Sequence, residues 1–202
     1  MPSMSEMELS ARIAAHFAQS GELKLALADL LATPIVRSAE KMTQAFLQEN
    51  KVLVCGNGGS AALAQYFASR LLHYHEIERP GLAAIALSAD SITLTAIAND
   101  DHFRRVFSKQ VLALGQAGDI LLAISGSGSS QNILQAITAA HERGITVIAL
   151  SGGDGGGLME LLGDDDIHIG VPHDNPARLQ EVYILILHCL CDAIDSLLLG
   201  VN

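Results

Sequence analysis

Apolar residues in the first fifty positions recur at helical spacing. Leu9, Ile13 and Phe17 stand four apart, and Leu23, Leu27, Leu30 and Leu31 continue the stripe. Gly21 predicts a break or kink. Thr33-Pro34 predicts a fresh start, with Pro34 in the first turn of a helix reaching to about Asn50. From Lys51 the pattern changes to short apolar runs that predict strands over 51–55, 82–87, 119–124, 145–150 and 166–171. Between and after them, helices are predicted over 60–72, 91–98, 102–114, 130–143, 157–162 and 176–199. Continuous apolar strands alternating with helices indicate a parallel sheet covered on both faces. Such sheets bind ligands beyond the carboxyl ends of their strands, at the topological switch point.

Two strand-to-helix connections are built for anions. Val52-Leu53-Val54 runs into Cys55-Gly56-Asn57-Gly58-Gly59-Ser60 and then a helix-forming stretch, Ala61-Ala62-Leu63-Ala64. Ile120–Ile124 runs into Ser125-Gly126-Ser127-Gly128-Ser129-Ser130 and then Gln131–Ile137. Backbone N–H groups and the helix dipole converge on such a turn, and serine hydroxyls add rotatable donors for phosphate oxygens. Two such loops point to a phosphorylated small molecule. Gly56, Gly58 and Ala61 also satisfy a dinucleotide fingerprint, with Asp90 as the ribose-binding acid, but that reading leaves the serine-rich loop unexplained. The plain alternative is a pair of turns whose glycines supply positive φ.

Composition narrows the class. The chain has 202 residues, half of them hydrophobic and 17% charged, enough for one domain with apolar surface left over for self-association. A net charge of −10 with scattered basic residues argues against direct nucleic-acid binding. His188 and Asp192 interrupt the longest apolar run, so no membrane span is expected. No signal peptide is expected either, and the cytoplasm is the expected compartment. Cys55, Cys189 and Cys191 form no disulfide framework or zinc knuckle and read as small buried hydrophobes.

Other residues carry two readings each. Asn99 or Asp100 is either a helix N-cap or a ligand-facing group. Ser151–Gly157 is a connection, flexible enough to close over a ligand. His188 follows Gln180 by eight residues, which leaves them roughly 80° apart on the helix surface, so they can share a face. His188 is therefore either a packed histidine or a catalytic or ligating one. His173 lies just past the last strand, and His73-Tyr74-His75 reads as a solvated loop.

Together these segments resemble the sugar-isomerase (SIS) domain family. They are most similar to the branch holding phosphoheptose isomerases and the DnaA initiator-associating protein, DiaA. The resemblance runs through Cys55–Ser60, Glu78-Arg79-Pro80, Leu94–Asp100, Lys109-Gln110-Val111, Leu114-Gly115, Gly118-Asp119, Ser125–Ser130, Gly152–Gly156 and Ala177–Glu181. It implies a flavodoxin-like, three-layer α/β sandwich with a five-stranded parallel sheet. Residues 1–202 would form a single SIS domain, with 1–50 as N-terminal helices for packing a homotetramer and 51–202 as the α/β core. Leu197-Leu198-Leu199 would fall in that packing or in an exposed patch. Asn57, Gly58, Ser60, Ser125, Ser127 and Ser130 would hold the phosphate, and Asp100 and Gln180 would face the sugar. The isomerases also call for a His and a Glu, four residues apart on the helix after the first loop, completed by Gln180 and His188 in a constellation that can hold zinc. Here those two positions are Tyr66 and Arg70. Arginine does not deprotonate in a protein, and a guanidinium repels a metal. The expectation is therefore a phosphosugar-binding protein without catalysis and without a cofactor, DiaA-like, with DnaA as partner. The alternative is an isomerase converting sedoheptulose 7-phosphate to glycero-manno-heptose 7-phosphate, with His188 catalytic and zinc held by Gln180 and His188.

Overall fold

The computed structural model describes residues 6–200. The first five residues, on which the expectation of no signal peptide largely rests, lie outside the described residues, as do residues 201 and 202. Five parallel strands form one sheet: β1 (Val52–Gly56), β2 (Ala84–Ala86), β3 (Ile120–Ser125), β4 (Thr146–Gly152) and β5 (Ile167–Val171). Their order is β2-β1-β3-β4-β5, the doubly wound arrangement in which the chain reverses its direction of travel across the sheet between β1 and β3. Val52, Leu53 and Val54 pair with Ile120, Leu121 and Leu122, and Gly56 lies beside Ile124. The carboxyl ends of β1 and β3 therefore open side by side, and both glycine-rich loops leave from there.

The sheet is buried on both faces. Val52, Val54, Leu122, Ile124 and Leu150 face α2 (Gly59–Leu72), α6 (Pro176–Leu199) and the long N-terminal helix. Leu53, Cys55, Leu121, Ala123 and Ala149 face α4 (Ser108–Leu114) and α5 (Gln131–Glu142), with part of α3 (Ser91–Asp100) alongside. Alternation of two apolar sets along each strand explains why the strands read as unbroken hydrophobic runs. Burial pushes the Cys55 thiol up to about 12, so it is an inert core group. Cys191 is buried as well, whereas Cys189 is exposed on α6, which corrects the expectation of three buried cysteines.

The N-terminal region departs from the expected two or more helices. One helix, α1 (Glu6–Leu47), runs through Gly21 and Pro34 without a break. The Ser38 hydroxyl donates to the Pro34 carbonyl at 2.7 Å, and Leu30, whose carbonyl loses its partner to the proline ring, is an exposed residue. Helical propensity and packing along Leu27, Leu31, Ala39 and Met42 outweigh the two breakers. The predicted helix over 102–114 divides instead into a 3₁₀ turn, Phe103–Arg105, and α4.

Length and composition alone would let α6 cross a membrane. Its inner face, however, packs Leu179, Tyr183, Leu187, Leu190 and Ile194 into the core and buries Arg178 and Asp195. Asp195 accepts from Arg79 Nε at 2.5 Å, and the rest of that guanidinium donates to the carbonyls of Leu71, Pro80 and Arg70. The pair ties the segment after α2 to both α2 and α6.

Candidate active site

At the switch point the two loops are locked to each other. Asn57 Nδ2 donates to Asn132 Oδ1 at 2.9 Å, and Asn132 Nδ2 donates to Asn57 Oδ1 at 2.8 Å. The Asn57 side chain is therefore occupied in joining the first loop to α5, and its contribution to a ligand is placement of the loop. Asn132, buried at the start of α5, was not singled out in the sequence. No local pattern marks it, because its partner is 75 residues away.

Gly58 takes φ 54°, a backbone conformation that favours glycine, and α2 begins after it without a side-chain cap. Ser130 precedes α5 and likewise leaves its helix without a side-chain cap. In contrast, Asp90 caps α3 through the N–H groups of Ile92 and Thr93, and Asn175 caps α6 through Ala177. The short α4 also lacks a side-chain cap, but it continues from a 3₁₀ turn. Among the helices whose N-caps are described, the two longer ones without a side-chain cap are those that open at the crevice, where an external anion can satisfy their first N–H groups. The cap made by Asp90 accounts for that residue without a ribose.

The serine loop is internally braced. The buried Ser125 hydroxyl accepts from Gly128 N at 3.1 Å, and Ser127 Oγ accepts from Ser129 N at 3.3 Å. Gly128, at φ 62°, lies so close under the Gly155 carbonyl that any β-carbon would collide with it. The Ser151–Gly157 turn is thus packed onto the serine loop. Ser60 is buried, and its hydroxyl accepts from Gln180 Nε2 at 3.3 Å. Beside these groups lies a cavity of about 740 Å³ lined in part by Ser127, Gly153, Asp154, His173, Leu179 and Gln180. The structure brings Ser60 and Gln180 into contact and puts Gln180 and the serine loop on one cavity. Asp100 ends α3 on the surface, where among the described residues its side chain accepts from Asn99 Nδ2 alone. The expected N-cap at Asn99 or Asp100 is corrected, since both residues close a helix.

A second cluster lies farther along α2 and α6. These helices run in the same direction, so Ser60 faces Gln180 and Tyr66 faces His188. The Tyr66 hydroxyl and His188 Nε2 are 2.8 Å apart, and the rings are tilted at 59° with centroids 5.6 Å apart. His75 stacks on His188 at 5.1 Å, which corrects the reading of 73–75 as a merely solvated loop. The Arg70 guanidinium lies 5.4 Å from the centre of the Tyr66 ring. Burial, with the charges of His75 and Arg70, holds the His188 pKa below the ordinary histidine value, while Glu76 pulls the other way. His188 is thus neutral at pH 7, with one nitrogen able to take a proton.

This donor set does not suit zinc. The Nε2 of His188 is engaged by a phenol, Gln180 is engaged by Ser60, and a permanent cation stands beside the ring. Among the described residues no group of three or more His, Cys, Asp or Glu side chains converges to hold a metal.

Comparison with known proteins agrees with the fold and changes the functional expectation. The profile of the SIS domain matches residues 15–152. A phosphoheptose isomerase of Azoarcus sp. strain BH72 is 56% identical over 196 residues, covering 97% of this chain and 100% of that protein. Phosphoheptose isomerase GmhA of Neisseria gonorrhoeae superposes with a TM-score of 0.87 at 50% identity, covering 93% of this chain and 99% of that one. A phosphoheptose isomerase from Francisella tularensis superposes with a TM-score of 0.90 at 46% identity, covering 96% of this chain and all of that one. These full-length relatives overturn the expectation of a non-catalytic, DiaA-like protein. That expectation rested on two substituted positions, and their loss removes one particular base. The loops, Gln180 and His188 remain, and His188 is itself a neutral proton acceptor.

Proposed function

The chain belongs to the SIS-domain family, and from that premise we propose that it is a phosphoheptose isomerase interconverting sedoheptulose 7-phosphate and its aldoheptose 7-phosphate. The observation that carries this reading is the 56% identity to a phosphoheptose isomerase over 97% of the chain and that protein's whole length. In this reading the phosphate sits on the paired loops, held by backbone N–H groups of the Gly58 turn and by Ser60, Ser125, Ser127 and Ser130. Gln180 faces the sugar.

The spacing of the two clusters fits a seven-carbon chain. Ser60 and Tyr66 are six residues apart on α2, about 9 Å along the axis. Carbon–carbon bonds of about 1.5 Å carry an extended heptose roughly 8 Å from its phosphorylated end to C1. With the phosphate at Ser60, C1 and C2 reach Tyr66 and His188. His188 acts as the base. When its Nε2–H donates to Tyr66 Oη, the Nδ1 lone pair is free to take a proton from C1 and return it at C2.

Assembly and location complete the proposal. We take residues 1–202 as one domain in the cytoplasm. The N-terminal half of α1 exposes Phe17 and Leu25 at 79% and 80%, and an apolar groove between α1 and α6 is lined by Leu27, Leu31, Val182, Leu185 and Cys189. Both surfaces favour self-association, with a homotetramer as the proposed state. Purified protein incubated with sedoheptulose 7-phosphate is expected to form the aldose, and His188→Ala to abolish turnover with the phosphosugar still bound. Absence of turnover by the wild-type protein, with or without added zinc, refutes the activity.

A further inference from the structure

The Arg70 side chain has five N–H donors and a permanent charge, and among the described residues it makes no hydrogen bond or ion pair. Its Nε is buried without a partner, and so is Nδ1 of the neighbouring His75. Half-buried and adjoining the Tyr66–His188 pair, the guanidinium carries a charge that no carboxylate pairs with among the described residues; Glu76 is the one acid whose charge reaches His188. A surface arginine with no partner is hydrated and needs no explanation. One packed over an aromatic ring, beside a base and a second imidazole, is placed to meet negative charge.

We propose that Arg70, with His75 beside it, is the oxyanion site of the isomerisation, supplying the charge stabilisation for the enediolate. This rests on the isomerase reading above. As His188 takes a proton from C1, the C1–H electron pair becomes the C1–C2 double bond. The π pair of the C2 carbonyl then moves onto O2, which becomes the oxyanion that Arg70 faces. Collapse to the aldose delivers the carried proton to C2, and the O1 proton passes to O2. No atom is gained or lost, and no oxidant takes part. The negative charge exists only between the two carbonyl forms, so donors aimed at it act on the barrier more than on binding. Arginine, useless as the base, is well suited to this second requirement.

The test compares Arg70→Gln and Arg70→Lys with the wild-type protein. Removing one oxyanion donor of this kind costs about 10²-fold or more in kcat. Arg70→Gln is therefore expected to lose about that factor with KM changed less than threefold, and Arg70→Lys to recover part of it. Arg70→Ala is expected to regain turnover when guanidinium ion is added. A hydroxamate analogue of the heptose 7-phosphate, which mimics the enediolate, should bind the wild type more tightly than Arg70→Gln by a similar factor in calorimetry. Sedoheptulose 7-phosphate itself should bind His188→Ala and His188→Ala/Arg70→Gln equally. A wild type that turns over while Arg70→Gln keeps its kcat overturns the oxyanion role alone. Equal binding of the hydroxamate by wild type and Arg70→Gln overturns it as well. No turnover by the wild type overturns the isomerase reading instead.

Discussion

Replacing Arg79 with methionine tests the most concentrated electrostatic element of the fold. Arg79 and Asp195 are both buried, and the guanidinium satisfies Asp195 and three backbone carbonyls at once. Methionine keeps much of the volume but leaves the Asp195 carboxylate buried and alone. Stranding one member of a buried pair costs about 3–5 kcal/mol, far more than the net worth of an exposed ion pair. For a chain of this length 1 kcal/mol corresponds to about 2–4 °C in Tm, so a fall on the order of 10 °C is expected. The double replacement Arg79→Met/Asp195→Leu removes both charges and should recover most of the loss. Thermal and urea unfolding, at one fixed protein concentration because association shifts Tm, measure all four members of the cycle. A single replacement that costs less than about 1 kcal/mol, or a double one no better than the single, refutes the reasoning. Arg79 also anchors the segment bearing His75, so Arg79→Met is expected to lower activity before it unfolds the protein.

Other expectations follow from the site. Asn132→Ala leaves the Asn57 amide unpaired between the loops, and should lower stability by about 1–3 kcal/mol and raise KM for the phosphosugar; an unchanged KM would show that the amide pair does not set the loop. Because burial, His75 and Arg70 keep His188 neutral, Arg70→Gln should raise its pKa and move the acid limb of activity to higher pH, read by NMR titration of the imidazole and by the pH–rate profile. The linked stability has a definite sign: a histidine whose folded pKa is lowered contributes nothing unfavourable above its unfolded value near 6.5, and costs stability as pH falls through the folded value. Exhaustive chelation should leave turnover unchanged, measured alongside metal content by mass spectrometry; a drop restored by zinc would contradict the misfit of the donor set. Phe17→Ser/Leu25→Glu should reduce the assembly to smaller species by light scattering while leaving the α/β core folded.

The sequence by itself settled the sheet. All five strands were legible within two residues at their shared ends, because a doubly covered parallel sheet demands unbroken apolar runs and the glycine loops punctuate them. It also placed Gln180 and His188 on one face of α6 by helical period alone. The N-terminal helix was misread for a tertiary reason: Gly21 and Pro34 carry local helix-breaking signals, and only packing along Leu27, Leu31, Ala39 and Met42 overrides them. Tyr66 and Arg70 were legible as substitutions, but their consequence was not. Whether Arg70 is a lost base or a poised cation depends on what surrounds it, and His188 and His75 reach it from a helix more than a hundred residues away and from the loop that Arg79 pins. Period and propensity act over neighbouring residues, so they determined the elements and the anion loops. The electrostatics of the reacting end is a sum over groups distant in sequence, and only the folded arrangement of α2 against α6 decided it.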